Sequence, residues 1–226
     1  METQQRVVQR NRLFSSLIWA LVAVSATLLV FAIVQKNLPG SAGHWPWKLQ
    51  LLDIPTATTA TLGTVGAAIA RAQYARSVQP VLSSGGLVAE GLAPNGALVW
   101  KCTIGNAGAA AVVVVEASYW VELTPSAGAA APAPRRRWLT HDEVVALLVS
   151  LGLSEHDDFS VTLVTPGAAY GAESTHQVAW FTESAMGVLA DLFFRIRVSD
   201  RAGDVHERTL PLMKNPVRDL RRPSRT

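Results

Sequence analysis

The feature that most limits the fold of this chain is an apolar segment near its start. Residues 13–34, LFSSLIWALVAVSATLLVFAIV, form a run of 22 residues without a charge. A helix needs about 20 predominantly apolar residues to cross a hydrocarbon core of about 30 Å. We therefore predict a transmembrane helix at residues 13–34, preceded by a basic cytoplasmic tail at residues 1–12.

A secretory signal peptide is the competing interpretation of this segment. Arg6, Arg10 and Arg12 precede the apolar run as basic residues precede the core of a signal peptide. Signal cores are only about 7 to 15 residues long, and the following QKNLPGSAG offers a poor cleavage site. We expect the segment to remain as an anchor.

A second crossing is predicted at residues 48–70. Five threonines lower the hydropathy of this segment, and Asp53 lies one turn inside its first end. Trp45 and Trp47 precede it and Tyr74 follows it, as aromatic rings do at the two membrane–water interfaces. The aromatic flanks favour a spanning helix over a helix of a soluble domain, and residues 35–47 then form an external loop.

Small residues of this second segment recur at helical spacing. They allow two helix backbones to approach closely in lipid. We expect them to pack against residues 13–34 in a helical hairpin, with homo-oligomerisation as the alternative. The predicted packing residues are Thr59, Gly63, Gly66, Ala67 and Ala70.

The charges that flank the two segments predict the orientation. Five arginines lie outside the hairpin and two lysines lie in the 35–47 loop or at its end, and basic residues favour the cytoplasmic side. We expect a multi-pass protein of the plasma (inner) membrane with both termini in the cytoplasm. If residues 48–70 do not cross, the rest of the chain lies outside. The basic residues are Arg6, Arg10, Arg12, Arg71 and Arg76 against Lys36 and Lys48.

Beyond residue 81 the apolar residues alternate with polar ones, which is typical of strands with one buried face. In ALVWKCTIGN we expect Leu98, Trp100, Cys102 and Ile104 to face the core, and GLVAEG to pair with this strand as a hairpin. The same alternation predicts the buried faces of two later strands. These faces are Val113, Val115, Ala117, Tyr119, Val121 and Leu123, and Val188, Ala190, Leu192, Phe194, Ile196 and Val198.

The number of such strands predicts the fold class. Seven or eight short strands between residues 77 and 212 indicate a mainly β domain, a β-sandwich of immunoglobulin or fibronectin type, with a closed barrel as the alternative. One helix is inserted at residues 140–151, where Thr140 and Glu143 have capping-box spacing and Gly152 follows. Residues 124–137 are predicted to be a loop.

The order of these segments resembles that of a known group of proteins. Two membrane helices, then RAQYARSVQPVL, strands, a capped helix and DRAGDVHERTLPL resemble uncharacterised two-helix membrane proteins of high-GC bacteria. In architecture alone, the chain is similar to bacterial antiviral effectors that join membrane helices to a nucleotide-sensing β-domain. Neither resemblance implies a role for a particular residue.

Clusters of acidic residues and histidine are interpreted as turns. EHDDF and DRAGDVHE match neither a calcium loop nor a zinc pattern, and Asp and Gly are common turn residues. We therefore predict no catalytic residue, no metal and no cofactor. An enzyme, the third interpretation, would need a cleft in which His156 or His206 meets a carboxylate from a distant strand.

The first interpretation of the basic end of the chain, residues 213–226, is a solvated tail. Binding to anionic lipid is the second interpretation, because each basic residue near such a surface adds about 1 kcal/mol. Nucleic acid is the least favoured partner, since no aromatic platform accompanies the charge. The arginines concerned are Arg218, Arg221, Arg222 and Arg225.

Together these features predict a non-enzymatic membrane protein. Its cytoplasmic β-domain would bind an unknown protein partner or act as a scaffold, with the lipid bilayer as its other contact. The alternative is a ligand-sensing effector that oligomerises through its transmembrane helices. The first needs a partner surface on the domain, and the second needs a basic pocket.

Overall fold

The computed structural model describes residues 4–37, 53–130, 137–214, 216 and 219–220. The chain divides into two compact units, one formed by residues 11–77 and the other by residues 1–10 together with 78–226. The predicted interface residues Trp45 and Trp47 and most of the predicted 35–47 loop lie outside the described residues.

The unit of residues 11–77 contains two long helices. They are α1 (Arg12–Asn37) and α2 (Ile54–Ser77). Residues 16–37 of α1 form the one described helix that is long and apolar enough to cross a membrane, with a mean hydropathy of 2.7. The first five residues of the predicted span 48–70 are not described, and α2 continues beyond its predicted end to Ser77.

The two helices pack against each other. Thr61 Oγ1 lies 3.2 Å from the carbonyl oxygen of Ser25, and Ala57 is fully buried. The less exposed positions of α2 recur at alternating spacings of three and four, which is typical of a left-handed helix pair. These positions are Ile54, Ala57, Thr61, Thr64, Ala68, Arg71 and Ala75, and Thr58 beside Ala57 is also partly buried.

The second unit contains two antiparallel sheets that pack as a β-sandwich. A five-stranded sheet has the order β1-β9-β8-β4-β6, and a four-stranded sheet has the order β2-β3-β7-β5. The strands are β1 (Arg6–Gln9), β2 (Leu82–Ala89), β3 (Val99–Asn106), β4 (Val112–Leu123), β5 (Phe159–Val161), β6 (Ala169–Tyr170), β7 (Ser174–Thr182), β8 (Leu189–Ser199) and β9 (Val205–Pro211). Short helices are α3 (Pro125–Ala130), α4 (His141–Ser150) and α5 (Glu183–Val188).

Residues 1–12, expected to be a tail, instead supply a strand. In β1, Arg6 lies opposite Glu207 and Val7 lies opposite His206 of β9. The side chain of Gln5 also bonds to the start of β2, where its Oε1 accepts from the Leu82 N–H. The β-domain is therefore completed by residues that precede α1.

One core cluster joins the inner faces of the two sheets. Trp100, Cys102 and Ile104 of β3 face it, as the alternation predicts. Leu192, Phe194, Ile196 and Val198 of β8 also face it, whereas Val188 belongs to α5 and not to the predicted strand. Val99 is buried as well, under the 90–97 segment on the other face of the four-stranded sheet.

The predicted inward face of β4 is wrong at its start. Val112 and Val114 are buried, whereas Val113 and Val115 are exposed. The register with β8 shifts between Val114 and Glu116, so a β-bulge adds one residue and exchanges the two faces. After the bulge Ala117, Tyr119 and Val121 point inward as predicted.

The inserted helix occurs where the capping pattern places it. Thr140 accepts from the Glu143 N–H, and the Glu143 side chain accepts from the Thr140 N–H. Gly152 follows the helix with φ of +87°, which glycine adopts with least strain. The predicted 124–137 loop contains α3, and its residues 131–136 lie outside the described chain.

Candidate interaction surface

The outer face of the five-stranded sheet carries a row of ion pairs across four strands. It begins at Glu207 of β9, whose side chain is only 6% exposed. Its two oxygens accept from Arg6 Nη2 of β1 and Arg197 Nε of β8, each at 2.6 Å. Burial opposes ionisation of Glu207, but the two arginines outweigh it and lower the pKa of this carboxyl below its usual value.

The row continues from β8 to β4. Glu116 accepts from Arg197 Nη1 at 2.6 Å and from Arg195 Nη2 at 3.2 Å. Arg195 Nε also donates to the Ser118 hydroxyl at 3.0 Å. We call Arg6, Glu207, Arg197, Glu116 and Arg195 the charged row. Each of its two carboxylates bridges two arginines and so orients their guanidinium groups.

Two tryptophans extend the charged row into an aromatic cluster. The Arg195 guanidinium carbon lies 4.6 Å from the ring centroid of Trp138, and Trp138 meets Trp120 edge to face at 5.9 Å. Both tryptophans are half-buried. The aromatic cluster is Trp120, Trp138 and Arg195.

The chain before α4 fixes the position of Trp138. Leu139 forms an antiparallel bridge with Tyr119 of β4, with N–H···O distances of 2.7 and 2.9 Å. The capping box at Thr140 starts the helix directly afterwards, and Arg137 is paired with Glu143 at 2.8 Å. Because Trp138 lies between two restrained segments, its ring is held beside Trp120.

The aromatic cluster consists of residue types that are enriched in protein interfaces. Trp and Arg are the residue types that carry most binding energy in protein interfaces. Here the arginines are already ordered by carboxylates, so little side-chain freedom remains to be lost on binding.

The predicted helix-packing residues do not lie between the helices. Thr59, Gly63, Gly66, Ala67 and Ala70 are all exposed, and a Cβ built at Gly63 or Gly66 has no neighbour within 4 Å. The contact with α1 uses the other side of α2, around Ala57 and Thr61. Tyr74 is exposed in the last turns of α2.

The predicted lipid-binding arginines lie beyond what the structure describes. Arg218, Arg221, Arg222 and Arg225 are all in this group. Leu220, between two of them, is described and is buried in the core of the β-domain.

One of the two acidic clusters differs from a solvated turn. Asp200 and His206 are 7% and 2% exposed, and His206 Nε2 lies 2.8 Å from Asp200 Oδ2. The other oxygen of Asp200 accepts from the N–H groups of Ala202 and Asp204, so the carboxylate closes the β8–β9 turn. Asp200 and His206 therefore form a buried pair at the β8–β9 turn.

The EHDDF cluster is a turn, with His156 at φ of +70° and Asp158 accepting from the Ser154 N–H. Asp158 also lines a cavity of about 270 Å³ with Glu183, Ser184 and other residues. The Ser184 hydroxyl donates to Asp158 at 2.6 Å and lowers the pKa of this carboxyl. No group of three or more metal-ligating side chains occurs among the described residues.

Sequence reasoning missed the charged row and the aromatic cluster. The alternation in FFRIRV did predict outward side chains at Arg195 and Arg197, but nothing local indicates that Trp138 joins them. None of the family models, curated proteins or solved structures compared with this chain matches it.

Proposed function

We propose that this protein is a membrane-anchored, non-enzymatic interaction or scaffold protein. Two helices anchor it, and its β-domain lies in the cytoplasm and binds a protein partner. The observation that carries the proposal is the pairing of β1 with β9, because β1 precedes α1 whereas β9 follows α2.

This pairing limits the number of membrane crossings. Strands of one sheet must lie on the same side of a membrane, since an open sheet edge is not tolerated in lipid. If α1 crosses, the chain must cross back before Leu82, where β2 begins. The same pairing disfavours cleavage after a signal peptide, which would remove β1 from the sheet.

The surface of the helix pair supports α2 as the returning crossing. Leu62, Val65 and Ile69 of α2 are exposed, as are Leu17 and Trp19 of α1. Apolar side chains around a helix pair are typical of membrane spans and unusual in water.

The threonines of α2 fit a lipid environment better than their hydropathy indicates. The hydroxyls of Thr59, Thr61 and Thr64 bond to carbonyls one turn earlier, those of Pro55, Ala57 and Thr61, at 2.8 to 2.9 Å. A hydroxyl that is bonded to its own helix costs less to place in hydrocarbon.

The strand order supports an immunoglobulin-like sandwich. With β1 set aside, β2-β3-β7-β5 and β9-β8-β4-β6 give the neighbours of the A-B-E-D and G-F-C sheets. The short strands β5 and β6 depart from the immunoglobulin fold in their chain order. Here β6, which lies beside β4, comes after β5, which lies beside β7.

The charged row and the aromatic cluster are the proposed partner surface. An ordered arginine that stacks on Trp138 can contact a carboxylate or a carbonyl while Trp120 supplies apolar area. The effector alternative, with an anionic ligand, is less favoured because Asp158 and Glu183 line the cavity of about 270 Å³. The exposed small residues of α2 nevertheless favour the oligomerisation through transmembrane helices that the effector alternative requires.

Thiol labelling tests the topology. In a Cys102→Ala background, Ser224→Cys marks the C-terminal end and Ser41→Cys marks the predicted external loop. In spheroplasts treated with a membrane-impermeant maleimide, we expect labelling at position 41 and protection at position 224 until lysis. Labelling at position 224 before lysis would place the β-domain outside and reject the proposal.

Cross-linking in cells tests the interaction role. The same cross-linked partner should be recovered from replicate cultures with the full-length protein and lost with Trp138→Ala. Leu163→Ala is the matched control, since Leu163 is exposed and lies outside the cluster. Retention of the partner by Trp138→Ala would exclude this surface.

A further inference from the structure

The edge strand β2 lacks the features that normally prevent edge strands from pairing. It lies at one edge of the four-stranded sheet. Its sequence is LSSGGLVA, with no charged residue and no proline. Its eight pairs with β3 show no register shift, so no bulge bends it. Such a strand is open to pairing with a further strand.

The hydrogen bonds at the start of β2 show which main-chain groups face the open edge. The Val81 carbonyl accepts from the Ala107 N–H, on the side of β3. The Leu82 N–H and C=O instead bond to the side chains of Gln5 and Arg208. Because the direction alternates along a strand, Ser84, Gly86 and Val88 also present their main chain to the edge. Among the described residues, the main-chain groups of Ser84, Gly86 and Val88 on this side have no hydrogen-bond partner.

We propose that β2 pairs with β2 of a second copy of this chain, antiparallel about a two-fold axis at Gly86. In this register Ser84 lies opposite Val88 of the second copy, and Gly86 lies opposite itself. The pairing satisfies the three open positions without displacing Gln5 or Arg208 from Leu82. A two-fold contact of one surface with itself is the commonest way in which proteins form dimers.

The side chains of β2 are complementary in the same register. Leu87 is 52% exposed and lies opposite Gly85 of the second copy, which has no side chain. The glycine leaves room for the leucine, and the contact occurs twice by symmetry. Glycine in a strand often marks the close approach of another backbone.

The charges at the ends of β2 also match. Glu90 follows β2 and is exposed. In the proposed register it lies opposite Leu82 of the second copy, where Arg208 binds the Leu82 carbonyl. A carboxylate thus approaches a guanidinium at both ends of the dimer, and like charges are not brought together along the strand.

Light scattering of the full-length protein in detergent micelles tests the dimer. We expect a dimer for the wild type, and at least about tenfold weaker association for Leu87→Lys, which is about 1.4 kcal/mol. Leu163→Lys is the control, since Leu163 is 57% exposed and far from β2 along the chain. A monomeric wild type, or a dimer that Leu87→Lys does not weaken, would overturn the proposal.

Disulfide formation tests the register. Mixing a Gly85→Cys protein with a Leu87→Cys protein should give a disulfide-linked pair, because directly opposed positions lie within disulfide range. Mixing Ser83→Cys with Leu87→Cys should give at least about tenfold less product, since those positions are not opposed. Equal yields from the two mixtures would reject the Gly86-centred pairing. Both tests are independent of which side of the membrane the domain lies on.

Discussion

Arg6 Nη2 donates to Glu207 Oε1 at 2.6 Å, so a residue that precedes α1 is bound to one that follows α2. Both ends of the helix pair are thereby joined to one folded domain. The connections are short, residues 10–11 before α1 and residues 78–81 after α2. The proposed topology, with both ends of the helix pair on one side of the membrane, rests on this closure.

The two partners of this ion pair should differ in their effect on stability. Glu207→Ala leaves Arg6 and Arg197 without their shared, nearly buried acceptor, and we expect it to lower the free energy of unfolding by about 2 kcal/mol. Arg6→Ala should cost less than about 1 kcal/mol, because the Arg6 side chain is 70% exposed. Thermal unfolding followed by near-UV circular dichroism gives both values. Equal losses of unfolding free energy in the two variants would show that the burial of Glu207 does not determine its contribution to stability.

Glu207 should also make stability depend on pH. Its pKa is lowered in the folded protein, so it stabilises the fold fully above its unfolded pKa of about 4.3. This contribution is lost as the pH falls through the folded pKa. The difference in unfolding free energy between wild type and Glu207→Gln should therefore be constant from about pH 7 to 5 and shrink below about pH 4. A difference that grows on acidification would contradict the assignment.

The helix pair should be sensitive to side-chain size at Ala57 and not at Gly63. Ala57 is fully buried, so Ala57→Leu overfills the contact and should weaken it by about 1 to 3 kcal/mol. A Cβ at Gly63 has no neighbour within 4 Å, so Gly63→Leu is the matched control. Disulfide formation between Ser25→Cys and Thr61→Cys reports on the contact. Greater loss with Gly63→Leu would place the helix contact on the predicted stripe.

Adjacent glycines of β2 should respond differently to the same substitution. A Cβ at Gly86 would lie 2.2 Å from the Trp100 ring, whereas one at Gly85 would meet only the Thr103 hydroxyl at 3.2 Å. We expect Gly86→Ala to destabilise the β-domain by about 2 to 3 kcal/mol and Gly85→Ala by less than about 1 kcal/mol. Chemical unfolding monitored by tryptophan fluorescence measures both. Comparable losses would mean that Trp100 is free to move away.

Local patterns predicted those elements whose physics is local. The capping box of Thr140 and Glu143 predicts α4 because both hydrogen bonds are made within one turn. The alternation of Trp100, Cys102 and Ile104 predicts the buried face of β3 because the register shift with β7 between Cys102 and Thr103 puts the extra residue in β7 and not in β3. In β4, the extra residue at Val115 reverses the faces before it, and a run of four valines gives no sign of where the bulge lies.

Other features could not be predicted because the deciding contact is distant in sequence. RVVQ, at residues 6–9, is too short to show a period, and it becomes a strand only because β9 offers an edge to it. The small residues of α2 show that close packing is available on several faces but not which face is used. Trp138 and Arg195 meet because a bridge at Tyr119 brings the two chain segments together.

The sequence by itself determined a membrane-length apolar helix, a β-domain and the inserted helix, since length, periodicity and capping act over a few residues. Only the tertiary structure decided that the segment before α1 completes the β-domain, that the charged row crosses four strands, and that β2 is left at an open edge. These depend on which strands become neighbours, and that choice is made by burial and register across the whole chain.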